Sequence, residues 1–396
     1  MDTTTALSLL PVATSVAVYG TVFGAFGVAV RRRRRQGSPP LDRAPRVTVL
    51  KPVAGVDEDL RENLESFARL DYPAFELLIG VADPRDPAVE VAYAFLRAHP
   101  ELDARIVHTD PDAAINPKVA QLLGLERQAT GEILVISDAN VRVAPSYLWS
   151  LVAELSRPGV GLVSSLVAGD GERTWGAALE NLQLGAQVAP TVGAMTLLSD
   201  LPVAVGKSMA MWRRALHRIG GFHVVASVLA EDHLLGRLFQ DAGFGVGVAF
   251  EPVENRNAVC TLARTLERHT RWAKMRRAIA PGAFLAEPLG SPFVIALLTS
   301  PLLPSRLALA LLLATAALQI VFATLALRLL RTRPMALRFT LLEPVRAVLV
   351  QICWLRACVS RRVEWRGHPF YVEADSHLVP APPSGRFRAA LSAIVP

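Results

Sequence analysis

The sequence predicts an α/β domain built on a mostly parallel sheet, with membrane helices at both ends. Three observations predict it. Short β-branched runs alternate with helical patterns between residues 47 and 136, the rhythm of strand, helix and strand. An uncharged apolar segment at residues 6–30 and an apolar segment at 307–330 are long enough to cross a bilayer. Finally, Asp83 and Asp138 each follow an apolar strand closely, where ligands of such sheets bind.

The elements follow in order. Residues 6–30 hold 25 uncharged residues, enough for about 30 Å of hydrocarbon. A cleaved leader would carry its positive charges before the apolar stretch; here Arg31 to Arg35 come after it. The segment therefore reads as a retained anchor that leaves those arginines on the cytoplasmic side. A Gly/Ser/Pro linker over 36–40 leads to strands at 47–50, 77–81 and 132–136. Helical patterns at 60–70, 87–98 and 119–128 connect them, so right-handed crossovers are expected.

Beyond Cys260 the composition changes, and residues 264–277 contain six Lys and Arg. Residues 289–303 are apolar but short, and with 307–330 they suggest an out-and-back pair turning near Pro301 and Pro304. Residues 335–358 include Arg338, Glu343, Arg346 and Arg356, which are costly in hydrocarbon. Positive charge on both flanks predicts that this stretch lies along the interface, with Arg338 and Arg346 near lipid phosphates. The Pro-rich tail after Leu378 is expected to lack regular structure. The resulting division is an anchor at 1–35, a cytoplasmic domain at 36–284, a membrane region at 285–360 and a cytoplasmic tail at 361–396.

Charge narrows the partners. Residues 37–260 carry 19 Lys and Arg against 28 Asp and Glu, a net of −9, while the two ends carry 23 against 7, a net of +16. A nucleic-acid binder would place positive charge on its folded domain, so that class is excluded. Positive charge beside apolar segments instead suits anionic headgroups and a multi-pass membrane protein whose domain faces the cytoplasm, as in a bacterial inner membrane. Cys260, Cys353 and Cys358 show no metal spacing or obvious pairing and read as packing residues in a reducing compartment.

Four signatures carry the chemistry: Val81-Ala82-Asp83, Ser137-Asp138-Ala139-Asn140, Ala230-Glu231-Asp232 and Arg268-His269-Thr270-Arg271-Trp272. A lone Asp at a strand end usually caps a turn. Together the four suit a sugar-nucleotide transferase, with carboxylates for a metal diphosphate, a carboxylate base and an Arg/Trp patch beside the leaving group. Hard Mg²⁺ or Mn²⁺ prefers carboxylate oxygen, which Asp138 offers. Arg268 and Arg271 lie three residues apart on one helical face.

These motifs, with Leu50-Lys51-Pro52, Asp71-Tyr72-Pro73, Ile115-Asn116-Pro117-Lys118 and Gly220-Gly221-Phe222, resemble the ceramide glucosyltransferase family, inverting GT-A enzymes of glycosyltransferase family 21. A hopanoid-associated glycosyltransferase branch is similar in most of them. The resemblance implies a UDP-sugar donor, a membrane lipid acceptor and a divalent metal, with Asp232 as catalytic base and Arg271 and Trp272 at the leaving group. It also implies donor contacts from Lys51, Asp83, Lys118, Asp138, Glu231 and Arg268, with Asp138 as the metal ligand. Asn140 stands where the fuller motif has a second Asp, so one negative charge is lost. The stretch Gly206-Lys207-Ser208 matches a family segment near the donor sugar, and Trp365-Arg366-Gly367 with Tyr371 is similar to the family's tail. A processive polysaccharide synthase shares the carboxylates and the Arg-Trp signature, but needs more full membrane crossings than the two long spans here.

Overall fold

The computed structural model describes residues 3–37, 43–56, 59–365 and 368–382. Its centre is an eight-stranded sheet of β1 (Val47–Val53), β2 (Phe75–Val81), β3 (Ala104–His108), β4 (Ile133–Ser137), β5 (Val141–Arg142), β6 (Val160–Asp170), β7 (Ser208–Trp212) and β8 (Gly245–Arg256). The spatial order is β3-β2-β1-β4-β7-β6-β8-β5. The first four neighbours run parallel. Strand β7 is wedged in antiparallel between β4 and β6, and β6 and β8 are again parallel.

The connecting helices form where the sequence places them. They are α2 (Leu60–Ala68), α3 (Ala88–Ala98) and α4 (Pro117–Gln128), and helix α1 (Thr3–Gln36) precedes the sheet. Both faces of the parallel half are buried. Val47, Val49, Leu77, Ile79 and Val135 pack against Leu64 and Phe67 of α2 and Ala92 and Phe95 of α3. Leu50, Leu78, Leu134 and Ile136 pack against Val119 and Leu122 of α4 on the other face. Alternation along each strand sends its side chains to two apolar layers, which is why these strands are mostly apolar, with Thr48, Lys51 and Glu76 as buried exceptions.

The second half adds α5 (Tyr147–Leu155), α6 (Trp175–Leu182), a π-helical turn (Gln183–Val188), α7 (Ala189–Leu198), α8 (Arg213–Arg218), α9 (Glu231–Asp241) and α10 (Leu262–Ile279). Helix α1 is seated on this half. Tyr19, Phe23 and Phe26 pack with Leu166, Val192 and Val248, and a Cβ on Gly193 would meet the Phe26 ring at 2.6 Å. Part of the expected linker, residues 38–40, lies outside the described residues.

The C-terminal region comprises α11 (Pro281–Ala286), α12 (Pro292–Thr299), α13 (Ser305–Leu330), α14 (Leu337–Thr340) and α15 (Glu343–Val359). Among the described residues two helices are long and apolar enough to cross a membrane, Thr5–Gln36 and Ser305–Leu330, with mean hydropathy 1.7 and 2.2. The short apolar stretch at 289–303 is no single rod: Pro281–Gly290 and Pro292–Leu302 form a pair bent by 78°.

Two expectations are corrected. Residues 335–358 do not form one helix presenting Arg346 to lipid phosphates. The chain breaks between α14 and α15, and Arg346 is buried in an ion pair with Glu343 at 2.5 Å. Gln183 of the π-helical turn accepts from the same guanidinium, and Gln319 of α13 donates toward Glu343. A buried charge persists when it is paired and fully hydrogen-bonded, and these polar partners supply that inside the protein. Nor does regular structure stop at Leu378, although residues 383–396 of the expected irregular tail lie outside the described residues. Strands β9 (Arg362–Trp365), β10 (His368–Val372) and β11 (Leu378–Pro380) form an antiparallel sheet, with Leu229, Val363, Phe370 and Leu378 in its core. Arg366 and Gly367 lie outside the described residues.

Candidate active site

The site begins where β4 ends. Hydrophobic strand residues drive β4 into the sheet, so the first polar residue past it, Asp138, emerges at the carboxyl edge, its backbone N–H bonded to the Lys207 carbonyl at 3.1 Å. One Asp138 oxygen pairs with Lys118 Nζ at 2.9 Å and the other with Lys207 Nζ at 3.4 Å. Lys118 Nζ also pairs with Glu231 at 2.9 Å and donates to the Gly206 carbonyl at 2.8 Å. Lys207 Nζ donates to Asn140 Oδ1 at 3.0 Å. Asn116 sets this up by capping α4: its Oδ1 accepts from the Lys118 N–H at 2.9 Å, and its Nδ2 donates to the Val228 carbonyl.

Electrostatics follow from that geometry. Burial opposes the charge on Lys118, but Asp138 and Glu231 outweigh it and hold its pKa well above the ordinary value. Burial would likewise raise Asp138, yet Lys118 and Lys207 keep it below the usual carboxylate range. Glu231 and Asp232, at the start of α9, are both raised, chiefly by burial. Asp232 is held by backbone: Oδ2 accepts from Gly206 N–H at 2.6 Å and Oδ1 from His233 N–H at 2.8 Å. The fit opposite it is tight, since a Cβ on Gly206 would lie 3.0 Å from Asp232 Oδ2.

The C-terminal sheet clamps the segment leading into Asp232. Leu229 N–H donates to the Ser376 carbonyl at 2.9 Å, Ala230 N–H to Ser376 Oγ at 3.1 Å, and Leu378 N–H to the Ser227 carbonyl at 2.8 Å. Asp375 and Ser376 adopt left-handed backbone with φ of 50° and 60°, rare for side-chain-bearing residues. Nothing in the sequence signals this contact, because it joins segments almost 150 residues apart.

The basic signature lies along α10, which packs on α6 and α15. Arg268 Nη1 pairs with Glu180 at 2.8 Å, and His269 Nε2 lies 3.3 Å from the same carboxylate. Burial would raise Glu180, but His269 and Arg268 hold it below its ordinary value; burial pushes His269 down to about 4. Arg271 is half-buried one turn on, and Trp272 packs against the sheet core with its ring 5.2 Å from His269 in a T-shaped contact. A cavity of about 80 Å³ lies between Asn140 and Arg268, walled by Arg256 and Arg264.

The structure thus gathers Lys118, Asp138, Glu231 and Asp232 into one cluster and sets Arg268, Arg271 and Trp272 along one helix. Lys51 lies beneath rather than beside them. It is fully buried, donates to the Asp138 carbonyl at 2.9 Å and stands 4.4 Å from the Phe67 ring centroid; burial pulls its amine down to about 7. It reaches the site only by supporting the Asp138 loop. Asp83 follows β2, two strands from β4 and so about 10 Å away. It is 54% exposed and pairs with Arg85 of its own turn. Sequence reasoning missed Glu180, although one acid within the apolar stretch of α6 was the available signal.

An α/β sheet whose carboxyl edge gathers these carboxylates and lysines beside a basic helix defines the class: a glycosyltransferase of GT-A fold. The family model described as glycosyl transferase family 21 matches residues 12–378, and the chain belongs to that family. Ceramide glucosyltransferase 3 of Caenorhabditis elegans is 24% identical over 343 residues, covering 85% of this chain and 74% of the relative. Ceramide glucosyltransferase 1 of the same organism is 28% identical over 246 residues, covering 62% of this chain and 53% of the relative, so the match spans about half of its length. Among solved structures, a mannosyltransferase from Pyrobaculum calidifontis in complex with GDP-Man and Mn²⁺ is 23% identical, with a TM-score of 0.46 over 87% of this chain and 99% of that one.

Proposed function

We propose that the protein transfers a hexose, glucose first, from a UDP-sugar to the primary hydroxyl of a membrane lipid, with inversion at the anomeric carbon. Ceramide is the first acceptor class and a hopanoid-type alcohol the second. The single observation that carries the reading is the gathering of Asp138, Glu231 and Asp232 about Lys118 and Gly206 at the carboxyl edge of the sheet. The names of the family relatives and the two long apolar helices support the lipid acceptor.

In this reading Asp232 takes the acceptor hydroxyl proton as that oxygen attacks the sugar. One carboxylate suffices, because inversion is a single displacement. A base must be ionised to act, and a raised pKa gives it more affinity for the proton at the moment of transfer. Arg271 and Arg268 stabilise the diphosphate as negative charge develops on it. Lys118 holds Asp138 and Glu231 together, and Lys207 stands ready for the phosphates.

The residues fit a divalent Mg²⁺ or Mn²⁺. Asp138 and Asn140 present two hard oxygens on one edge, now spanned by Lys207, and Mg²⁺ sites commonly take one or two carboxylates and complete their shell with substrate phosphates and water. A cation held there would neutralise the diphosphate. In this reading the domain faces the cytoplasmic leaflet. Arg33 pairs with Glu154 and Arg331 with Asp170 at 2.6 Å, so both long apolar helices bring a basic end to the domain. Mass spectrometry of lipid extracts from cells with and without the protein tests the proposal: a new hexosyl lipid is expected, and an unchanged glycolipid profile would overturn it.

A further inference from the structure

A second cavity, of about 270 Å³, lies where α1 leaves its apolar stretch. Arg32, Arg33, Gln36 and Arg157 form its polar side, and Leu197 and Phe250 its apolar side. None of these belongs to the Asp138–Asp232 cluster. Glu154 is the carboxylate that ties the arginines together, accepting from Arg33 and from Arg157 Nε at 2.8 Å. Arg33 and Arg157 thus share one carboxylate while Arg32 also lines the cavity, so three guanidinium groups stand against one carboxylate, an excess of two positive charges. Arg33 also stacks over the Phe250 ring, 5.8 Å from its centroid, which fixes the guanidinium direction.

Depth is the second observation. The apolar stretch of α1 ends at Val30, so Arg32 and Gln36 lie within about 9 Å along the axis of where the helix leaves hydrocarbon. The apolar surface continues from the cavity toward the membrane side: Val28, one turn before Arg32 on the same helix face, is 57% exposed, and Leu197 and Leu198 are 37% and 47% exposed. A cationic cup at headgroup depth, continuous with an exposed apolar track, matches a molecule with an anionic head and an acyl tail.

We infer that this cavity binds one anionic phospholipid, its phosphate on Arg32 and Arg157 and one acyl chain along Val28 and Leu197. Phosphate suits paired guanidinium groups, and the tail makes the site specific for a lipid rather than a soluble anion. The inference rests on the reading of α1 as a membrane span but not on the reaction, since the cavity shares no residue with the transfer site.

Native mass spectrometry of the detergent-solubilised full chain, titrated with phosphatidylglycerol or phosphatidylcholine, tests it. One phosphatidylglycerol should bind about tenfold more tightly than phosphatidylcholine. The double variant R32Q/R157Q should lose that preference. R31Q/R34Q, which removes the same charge from arginines that do not line the cavity, should keep it. Both variants should transfer sugar normally in detergent, so failure of the lipid site stays distinct from failure of the reaction. Equal loss of preference in the two variants would show diffuse charge rather than a built site and overturn the inference. Displacement of the lipid by low-millimolar inorganic phosphate would assign the cavity to a soluble anion and overturn it as well.

Discussion

The cluster at the end of β4 and the cluster beneath α10 solve the same problem with opposite polarity. At the first, Asp138, Glu231 and Asp232 outnumber Lys118 and Lys207. At the second, Arg268 and His269 share one fully buried acid, Glu180. The difference teaches how a transferase can divide its labour. In the proposed reaction, the anion-rich wall raises a carboxylate so that it takes a proton, and the cation-rich wall receives the charge of the departing diphosphate.

The largest expected break comes on the anionic wall. Asp232→Asn should lower transfer by about 10²–10⁴-fold while UDP binding stays within a few-fold, because the base acts on the acceptor. Turnover with UDP affinity measured alongside checks this, and near-normal turnover would remove Asp232 from the role. Asp138→Ala should lose transfer and metal-dependent UDP binding together. Titration of UDP with and without a chelator reads both, and an unchanged chelator response would assign the diphosphate to the lysines alone.

On the cationic wall, Glu180→Gln should cost stability before chemistry. Removing one partner of a buried pair costs about 3–5 kcal/mol, so the thermal midpoint should fall sharply. Near-wild-type unfolding would mean that Arg268 does not depend on this acid.

Lys118→Gln sharpens the contrast through pH. A cation favours ionised carboxylates, so its loss should raise Asp232 and Glu231 further. The base works only when ionised, and the acid limb of kcat/KM should therefore move to higher pH. Asp138 gives the matching stability sign. Its folded pKa is depressed, so its contribution is present above the unfolded value near 4 and is lost as pH falls. The stability gap between wild type and this variant should accordingly close below about pH 4. Smallest is Ser376→Ala, which removes the side-chain acceptor at Ala230 N–H and should cost a few-fold in kcat with KM for UDP-sugar unchanged. Equal loss in both constants would mark the tail as general scaffold.

Much of this contrast was legible from local sequence. The parallel half was readable because Val47, Leu77 and Ile133 begin runs buried on both faces, and because Asp138 is the first polar residue allowed past Ser137. The lysine bridges were less so: Lys118 was singled out, but its partners come from β4 and α9, which only the folded sheet brings together. Arg346 misled because a charge in an apolar stretch signals water or lipid headgroups unless partners wait inside, and Gln183 and Gln319 are remote in sequence. The clamp at Ser376 is a long-range backbone contact, which no periodicity encodes.

The most direct test concerns the one-carboxylate displacement at Asp232. The purified full chain, supplied with UDP-glucose and ceramide in mixed micelles, should yield a glucosyl lipid whose anomeric proton, read by NMR, reports the β configuration, inverted from the α-linked donor. An α-linked product would require retention, and with it a second nucleophilic step that contradicts a single attack assisted by Asp232.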